Sequence, residues 1–134
     1  MGVFRPFPPD KCFMRALIVD DSRTVRMILG KALRELGYEV QEAEHGQEAI
    51  DRLYHGDAVD LLLVDWNMPV MNGYELVCEV RRNVLLDHIK IMMVTTESSM
   101  EKVQQALEAG ANEYLMKPFT KDVLLEKLTL LGMA

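Results

Sequence analysis

The sequence predicts a three-layer α/β sandwich, a five-stranded parallel sheet with five helices divided between its two faces. Two observations carry this. Short apolar runs, among them Ala16–Val19, Leu61–Val64 and Ile91–Val94, have the length of strands and no polar alternation, the pattern of strands buried on both faces. Between such runs lie stretches with apolar residues at helical spacing, so strand and helix alternate along the 134 residues. That alternation calls for crossover connections and a parallel sheet. Strand order across the sheet does not follow from order along the chain.

Each element has its own signal. The first strand, Ala16–Val19, runs into Asp20, Asp21 and Ser22, two acids and a helix cap. Val25, Ile28, Leu29, Ala32, Leu33 and Leu36 mark an inward stripe on a first helix over Arg23–Leu36, which Gly37 ends. Tyr38–Ala43 alternates loosely as the second strand, and Gln47–Tyr54 is a short helix stopped by Gly56. The third strand, Leu61–Val64, is bounded by Asp60 and Asp65. Asn67, Pro69, Asn72 and Gly73 then turn the chain into a loop. Tyr74–Arg82 is the third helix, with Leu76, Val77 and Val80 inward. Ile89–Thr95 is the fourth strand. Ser98 or Ser99 caps a helix through Met100, Val103 and Leu107 to Gly110. Ala111–Met116 is the fifth strand, followed by Lys117-Pro118-Phe119, and Thr120 caps the last helix, Lys121–Leu131.

Residues 1–13 contain three prolines and lack the apolar stretch of a signal peptide, so they are expected to be an extension, with Met14 a candidate start. Residues 14–134 are expected to form one domain. A net charge of −6 and the absence of any basic run argue against binding nucleic acid. No apolar run is long enough to span a membrane. Cys12 and Cys78 have neither metal-ligand nor redox spacing, which fits a reducing, cytoplasmic setting. His45, His55 and His88 read as surface residues, and Met92 and Met93 as core filler.

Four strands end in polar groups: Asp20 and Asp21, Asp65, Thr95, and Lys117. In a parallel sheet these ends share one edge, where ligands of open α/β sheets bind. Three carboxylates brought within roughly 4–5 Å repel, by about 4 kcal/mol per pair at an effective dielectric of about 20. Something cationic must offset this, either Lys117 or a bound divalent ion, and for an ion the oxygen donors without His or Cys favour Mg²⁺. A carboxylate beside Mg²⁺, a hydroxyl and an ammonium suits phosphoryl transfer: Asp65 attacks phosphorus, while Thr95 and Lys117 neutralise its oxygens. Taken singly, each residue has a plainer reading. The two acids could merely cap a helix, Thr95 end a strand, Tyr114 pack, and Lys117 sit in solvent. Four such coincidences would be needed together.

The pattern Asp20-Asp21, Asp65, Thr95, Lys117-Pro118 resembles the receiver domain of two-component response regulators, over Met14 to Leu131. Asp-Trp-Asn-Met-Pro at 65–69, Thr-Thr-Glu at 95–97 and Lys-Pro-Phe-Thr at 117–120 are most similar to single-domain chemotaxis regulators. The resemblance implies a flavodoxin-like sheet of order 2-1-3-4-5. It also implies that Asp65 is the phosphoacceptor and that Asp21 and Asp65 bind Mg²⁺. Asp20 would act through water, and the Asn67 main-chain carbonyl would be a further ligand. Thr95 and Lys117 would hold the phosphoryl group, Tyr114 would be the aromatic switch, turning inward on phosphorylation, and Asn67 and Glu97 would tune dephosphorylation. A cis Lys117-Pro118 bond is often found in the family. The implied partners are a sensor histidine kinase and a downstream protein, either a flagellar motor switch or a phosphotransfer protein, met by a monomer.

Rival readings are a phosphorelay intermediate, a receiver used only for docking, a flavin carrier, and an aspartyl-nucleophile phosphatase of haloacid dehalogenase type. No Ser/Thr/Gly-rich phosphate loop follows the first strand, as a flavin carrier would want. The phosphatase wants an acid two residues after its nucleophile, and that position is Asn67.

Overall fold

A computed structural model describes residues 14–96 and 99–134. The expected N-terminal extension, Glu97 and Ser98 therefore lie outside the described residues. The strands are β1 (Arg15–Val19), β2 (Glu39–Ala43), β3 (Leu61–Val64), β4 (Lys90–Thr95) and β5 (Glu113–Met116). The helices are α1 (Arg23–Glu35), α2 (Gly46–His55), α3 (Gly73–Arg81), α4 (Met100–Ala109) and α5 (Lys121–Leu130), with a single 3₁₀ turn at Val84–Leu86. All strand pairs are parallel, in the order β2-β1-β3-β4-β5 implied by the resemblance.

The strand side chains sort the helices onto two faces. Leu17, Val19, Leu62, Val64, Ile91 and Met93 pack with Ala49 of α2, Leu76, Val77 and Val80 of α3, and Ala106 of α4. Ala16, Ile18, Leu61, Leu63, Met92 and Val94 pack with Leu29, Ala32 and Leu33 of α1 and with Leu124 and Leu128 of α5. All four residues of β3 are buried, as an uninterrupted apolar run at the centre of a covered sheet requires. Each such side chain removed from water contributes about 1.5–3 kcal/mol.

Caps set where the helices begin, and thereby where the loops at the carboxyl edge run. Ser22, Ser99 and Thr120 accept from main-chain N–H groups in the first turns of α1, α4 and α5. Asn72 and Glu75 form a reciprocal capping box on α3. His45 is exposed, as expected, yet its Nδ1 accepts from the Glu48 N–H and caps α2.

The inward face of α1 differs from the sequence expectation. In α1, Ile28 is 55% exposed and Arg26 is buried in its place. In α4, Met100 and Leu107 are exposed, and Ala106 is the buried residue. Ala106 is the one buried side chain of that helix, with Val103 and Ala109 partly buried against the core, so its packing is shallow.

Candidate functional site

Each polar strand end reaches the same edge because each strand stops there. Hydrogen bonds across the sheet fix their mutual height: Asp65 N–H donates to the Val19 carbonyl at 3.0 Å, and Lys117 N–H to the Thr95 carbonyl at 2.9 Å. Asp20, at 1% exposure, uses both carboxylate oxygens. Oδ1 accepts from the Ser22 N–H at 2.8 Å and Oδ2 from Lys117 Nζ at 2.9 Å. Asp65, at 7% exposure, accepts from the Asn67 N–H at 3.3 Å through Oδ1 and from Lys117 Nζ at 3.3 Å through Oδ2. Asp21 is exposed at the rim. One oxygen from each of Asp20, Asp21 and Asp65 lies within 4.8 Å of the others.

These contacts set the charge states. Burial pushes the Asp65 carboxyl above the usual carboxylate range, and the Asp20 charge adds to this. Lys117, the Asn67 N–H and the Thr95 side chain pull it back in part. Burial also opposes the charge of Lys117. The Asp20 hydrogen bond and the charges of Asp20 and Asp65 outweigh it, so the ammonium holds its proton more firmly than an ordinary lysine. Three carboxylates against one ammonium leave two negative charges, the charge of one divalent cation. An oxygen-only donor set around that charge fits Mg²⁺ better than a softer metal.

The loop after β3 is built tightly around Asp65. Gly73 packs so closely that a Cβ there would run into the Asp65 carbonyl oxygen, and its N–H donates to the Trp66 carbonyl at 2.9 Å. Val70 stands fully exposed with φ 67°, a left-handed conformation that a β-branched residue rarely adopts. Trp66 is buried, stacks on Tyr74 at 5.6 Å between ring centroids, and lies under Lys102 Nζ of α4, which sits 5.2 Å from its centroid.

Asp20, Asp21, Asp65, Thr95 and Lys117 thus meet as expected. Asn67 is adjacent, with its N–H turned to Asp65 and its side chain exposed. Tyr114 lies one strand away, where it pairs with Met93 of β4. Its ring is already 7% exposed, inside the cluster that includes Val103 and Ala106. The expectation is that it turns inward on phosphorylation. Glu97 falls outside the described residues. The Lys117–Pro118 peptide is cis.

Two features escaped the sequence reading: the enclosure of Trp66 between Tyr74 and Lys102, and Arg26, which reaches the acidic end of β1. Arg26 could have been found by phase. It precedes Leu29, Gly30 and Leu33 by three, four and seven residues, on the stripe α1 buries.

Comparison with known proteins gives the following. The family description "Response regulator receiver domain" matches residues 16–129. The chemotaxis protein CheY homolog of Campylobacter jejuni is 51% identical over 116 residues, covering 86% of this chain and 89% of that protein. Chemotaxis protein CheY1 of Helicobacter pylori is 50% identical over 116 residues, covering 86% of this chain and 94% of that protein. Among solved structures, chemotaxis protein CheY4 of Vibrio cholerae superposes with a TM-score of 0.82 at 37% identity, covering 92% of this chain and 100% of that one.

Proposed function

The chain belongs to the response regulator receiver domain family, and we propose that it is a chemotaxis regulator switched by phosphorylation of Asp65. Receiver domains are regulatory modules rather than classical enzymes. The single observation that carries the reading is the position of Asp65: its Oδ2 is 3.3 Å from the Lys117 ammonium, and its carboxylate lies beside Asp20 and Asp21. A buried carboxylate held in that way is a nucleophile that needs no separate base.

In the proposed reaction an Asp65 oxygen attacks phosphorus in line. The bond from phosphorus to a kinase phosphohistidine nitrogen breaks, and the imidazole leaves with the bonding pair and takes a proton from water. Lys117 is mobile enough to follow the charge from Asp65 onto the phosphoryl oxygens, and the Thr95 hydroxyl donates to one of them. Asp21 and Asp65 would hold Mg²⁺, with the Asn67 carbonyl as a further ligand and Asp20 acting through water, its own oxygens being taken by Ser22 and Lys117. When bound, the ion supplies neutralisation of the transferring group. Asn67 and Glu97 would tune the hydrolysis of the acyl phosphate.

Chemotaxis is favoured over a phosphorelay by the Campylobacter and Helicobacter relatives, both described as chemotaxis proteins. The donor would be a sensor histidine kinase and the receiver of the signal a flagellar motor component, met in the cytoplasm by a monomer. Among the described residues no helix is long and apolar enough to cross a membrane. Residues 14–134 would be the receiver and 1–13 an extension.

The test is phosphorylation by acetyl phosphate in Mg²⁺. Wild type acquires a label lost in both acid and base, and Asp65→Asn acquires none. Labelling of the Asn variant at the wild-type rate refutes the assignment.

A further inference from the structure

We propose that Arg26 is a positioning residue for the metal-binding acids, acting through the main chain that joins Asp20 to Asp21. The inference rests on the Mg²⁺ reading above and goes beyond it, because Arg26 touches neither the ion's proposed ligand atoms nor the phosphoryl group.

Arg26 is 7% exposed, and a guanidinium is buried only where its donors are used. Its Nη1 donates at 2.7 Å to the carbonyl oxygen of Asp20, a hydrogen bond buried at both ends. That carbonyl belongs to the peptide between the two acids, so its direction sets how the Asp21 side chain leaves the strand end. Among the described residues no side-chain hydrogen bond or ion pair holds the Asp21 carboxylate, so its place depends on this main chain.

The guanidinium is itself anchored from a strand that supplies no ligand. Nε donates to Glu42 Oε1 of β2 at 2.9 Å, and Nη2 stands 3.9 Å from Glu44 Oε1 just beyond it. β2 also fixes the other side of Asp20, whose N–H donates to the Ala43 carbonyl at 3.2 Å. The planar fork of arginine presents separate, rigidly spaced nitrogens to the Asp20 carbonyl and to Glu42, where a lysine offers a single point charge. Through Arg26, then, the edge strand β2 contributes to the site at the end of β1.

The sign of the effect separates positioning from plain charge. Deleting a positive charge beside a cation site tightens cation binding through space. Deleting a group that aims the ligands weakens it. Outer partners of metal ligands contribute tenfold to a hundredfold in affinity, and a bond to main chain belongs at the low end.

The experiment is a Mg²⁺ titration followed by Trp66 fluorescence on folded wild type, Arg26→Lys and Arg26→Met, with thermal unfolding of each recorded alongside. The expected midpoints rise in that order, about threefold for Lys and about tenfold for Met. A Met variant that binds Mg²⁺ as tightly as wild type, or more tightly, overturns the proposal, even if its thermal stability has fallen. Should the Met variant not fold, a Lys variant with the wild-type midpoint overturns it equally. A wild-type protein that shows no Mg²⁺ response refutes the metal reading itself, and this inference with it.

Discussion

Replacing Lys117 by Met removes one positive charge from between two carboxylates and keeps an unbranched apolar stem of similar bulk. Nζ lies 2.9 Å from Asp20 and 3.3 Å from Asp65. At an effective dielectric of about 20, each contact has a gross attraction of about 5–6 kcal/mol, most of it cancelled by desolvation of the three groups. Removing one partner of a buried pair costs about 3–5 kcal/mol. Here the Lys117 side chain is 16% exposed and Asp65 can relieve the repulsion by taking up a proton, so about 2–3 kcal/mol is expected. For a chain of this size that lowers the midpoint of thermal unfolding by roughly 8–12 °C.

The assay is denaturation at neutral pH, in chelator and again in saturating Mg²⁺. Ion and ammonium both draw on the Asp65 carboxylate, and without the ammonium the three acids keep a third negative charge, so the variant binds Mg²⁺ more tightly and gains more stability from it. The gap between the two proteins therefore narrows on adding the ion. It also has a pH window. Because Lys117 is raised in the fold, its contribution is fully present below the ordinary lysine value of about 10.4 and is lost as pH climbs through the raised value. Equal stability in chelator, or an identical gain from Mg²⁺ in both proteins, refutes the claim that Lys117 offsets the carboxylate repulsion.

Four further outcomes are expected. Asp65 is raised by burial, so its ionisation destabilises the fold as pH rises from about 3.9 to its raised value. Asp65→Asn should be more stable than wild type above that window and not below it, as urea midpoints across pH would report. Asp21→Ala should weaken Mg²⁺ severalfold in the Trp66 titration, and an unmoved midpoint would remove Asp21 from the ligand set. Gly73→Ala drives a methyl into the Asp65 carbonyl oxygen, and should slow labelling by acetyl phosphate and cost about 1–3 kcal/mol of stability by denaturation. Val70→Asn relieves a left-handed β-branched residue that buries nothing, and should stabilise by about 0.5–1 kcal/mol without altering phosphorylation.

How far the sequence could be read depended on what each signal measured. β3 was legible to the residue, because four apolar side chains between two acids have no other stable use in so short an alternating chain. The acids, Thr95 and Lys117 were legible for a related reason: strand ends in a parallel sheet must share an edge. Helix faces were less so. At 100° per residue Ile28 lies about 200° round from Arg26, and apolarity alone put the wrong one inside. A buried carbonyl and Glu42 provide for the charge of Arg26, and neither is visible from helical spacing. In α4, Met100 and Leu107 lie outside while Ala106 is buried. Spacing marks an amphipathic helix without saying how deeply it packs.

That shallow packing bears on how the proposed switch is read. Tyr114 sits inside, in the cluster that takes in Val103 and Ala106. In the proposed switch, phosphorylation acts on a ring that has this inward place available. It needs to bias how firmly the ring and α4 are held, through Thr95 on the strand between Asp65 and Tyr114. Moving an equilibrium from 1:99 to 99:1 takes about 5.5 kcal/mol, and a smaller bias suffices where the inward place is already well populated. Charge-assisted hydrogen bonds from Thr95 and Lys117, each about 1.5–3 kcal/mol, are of the right size. Thr95→Ala should then accept phosphate yet fail to tighten α4. The measure is amide hydrogen exchange over residues 100–116 with and without beryllofluoride and Mg²⁺. Wild type should gain protection there and Thr95→Ala should not. Equal gains in the two proteins would mean that the path to Tyr114 runs elsewhere, with the Lys102–Trp66 contact the next link to cut.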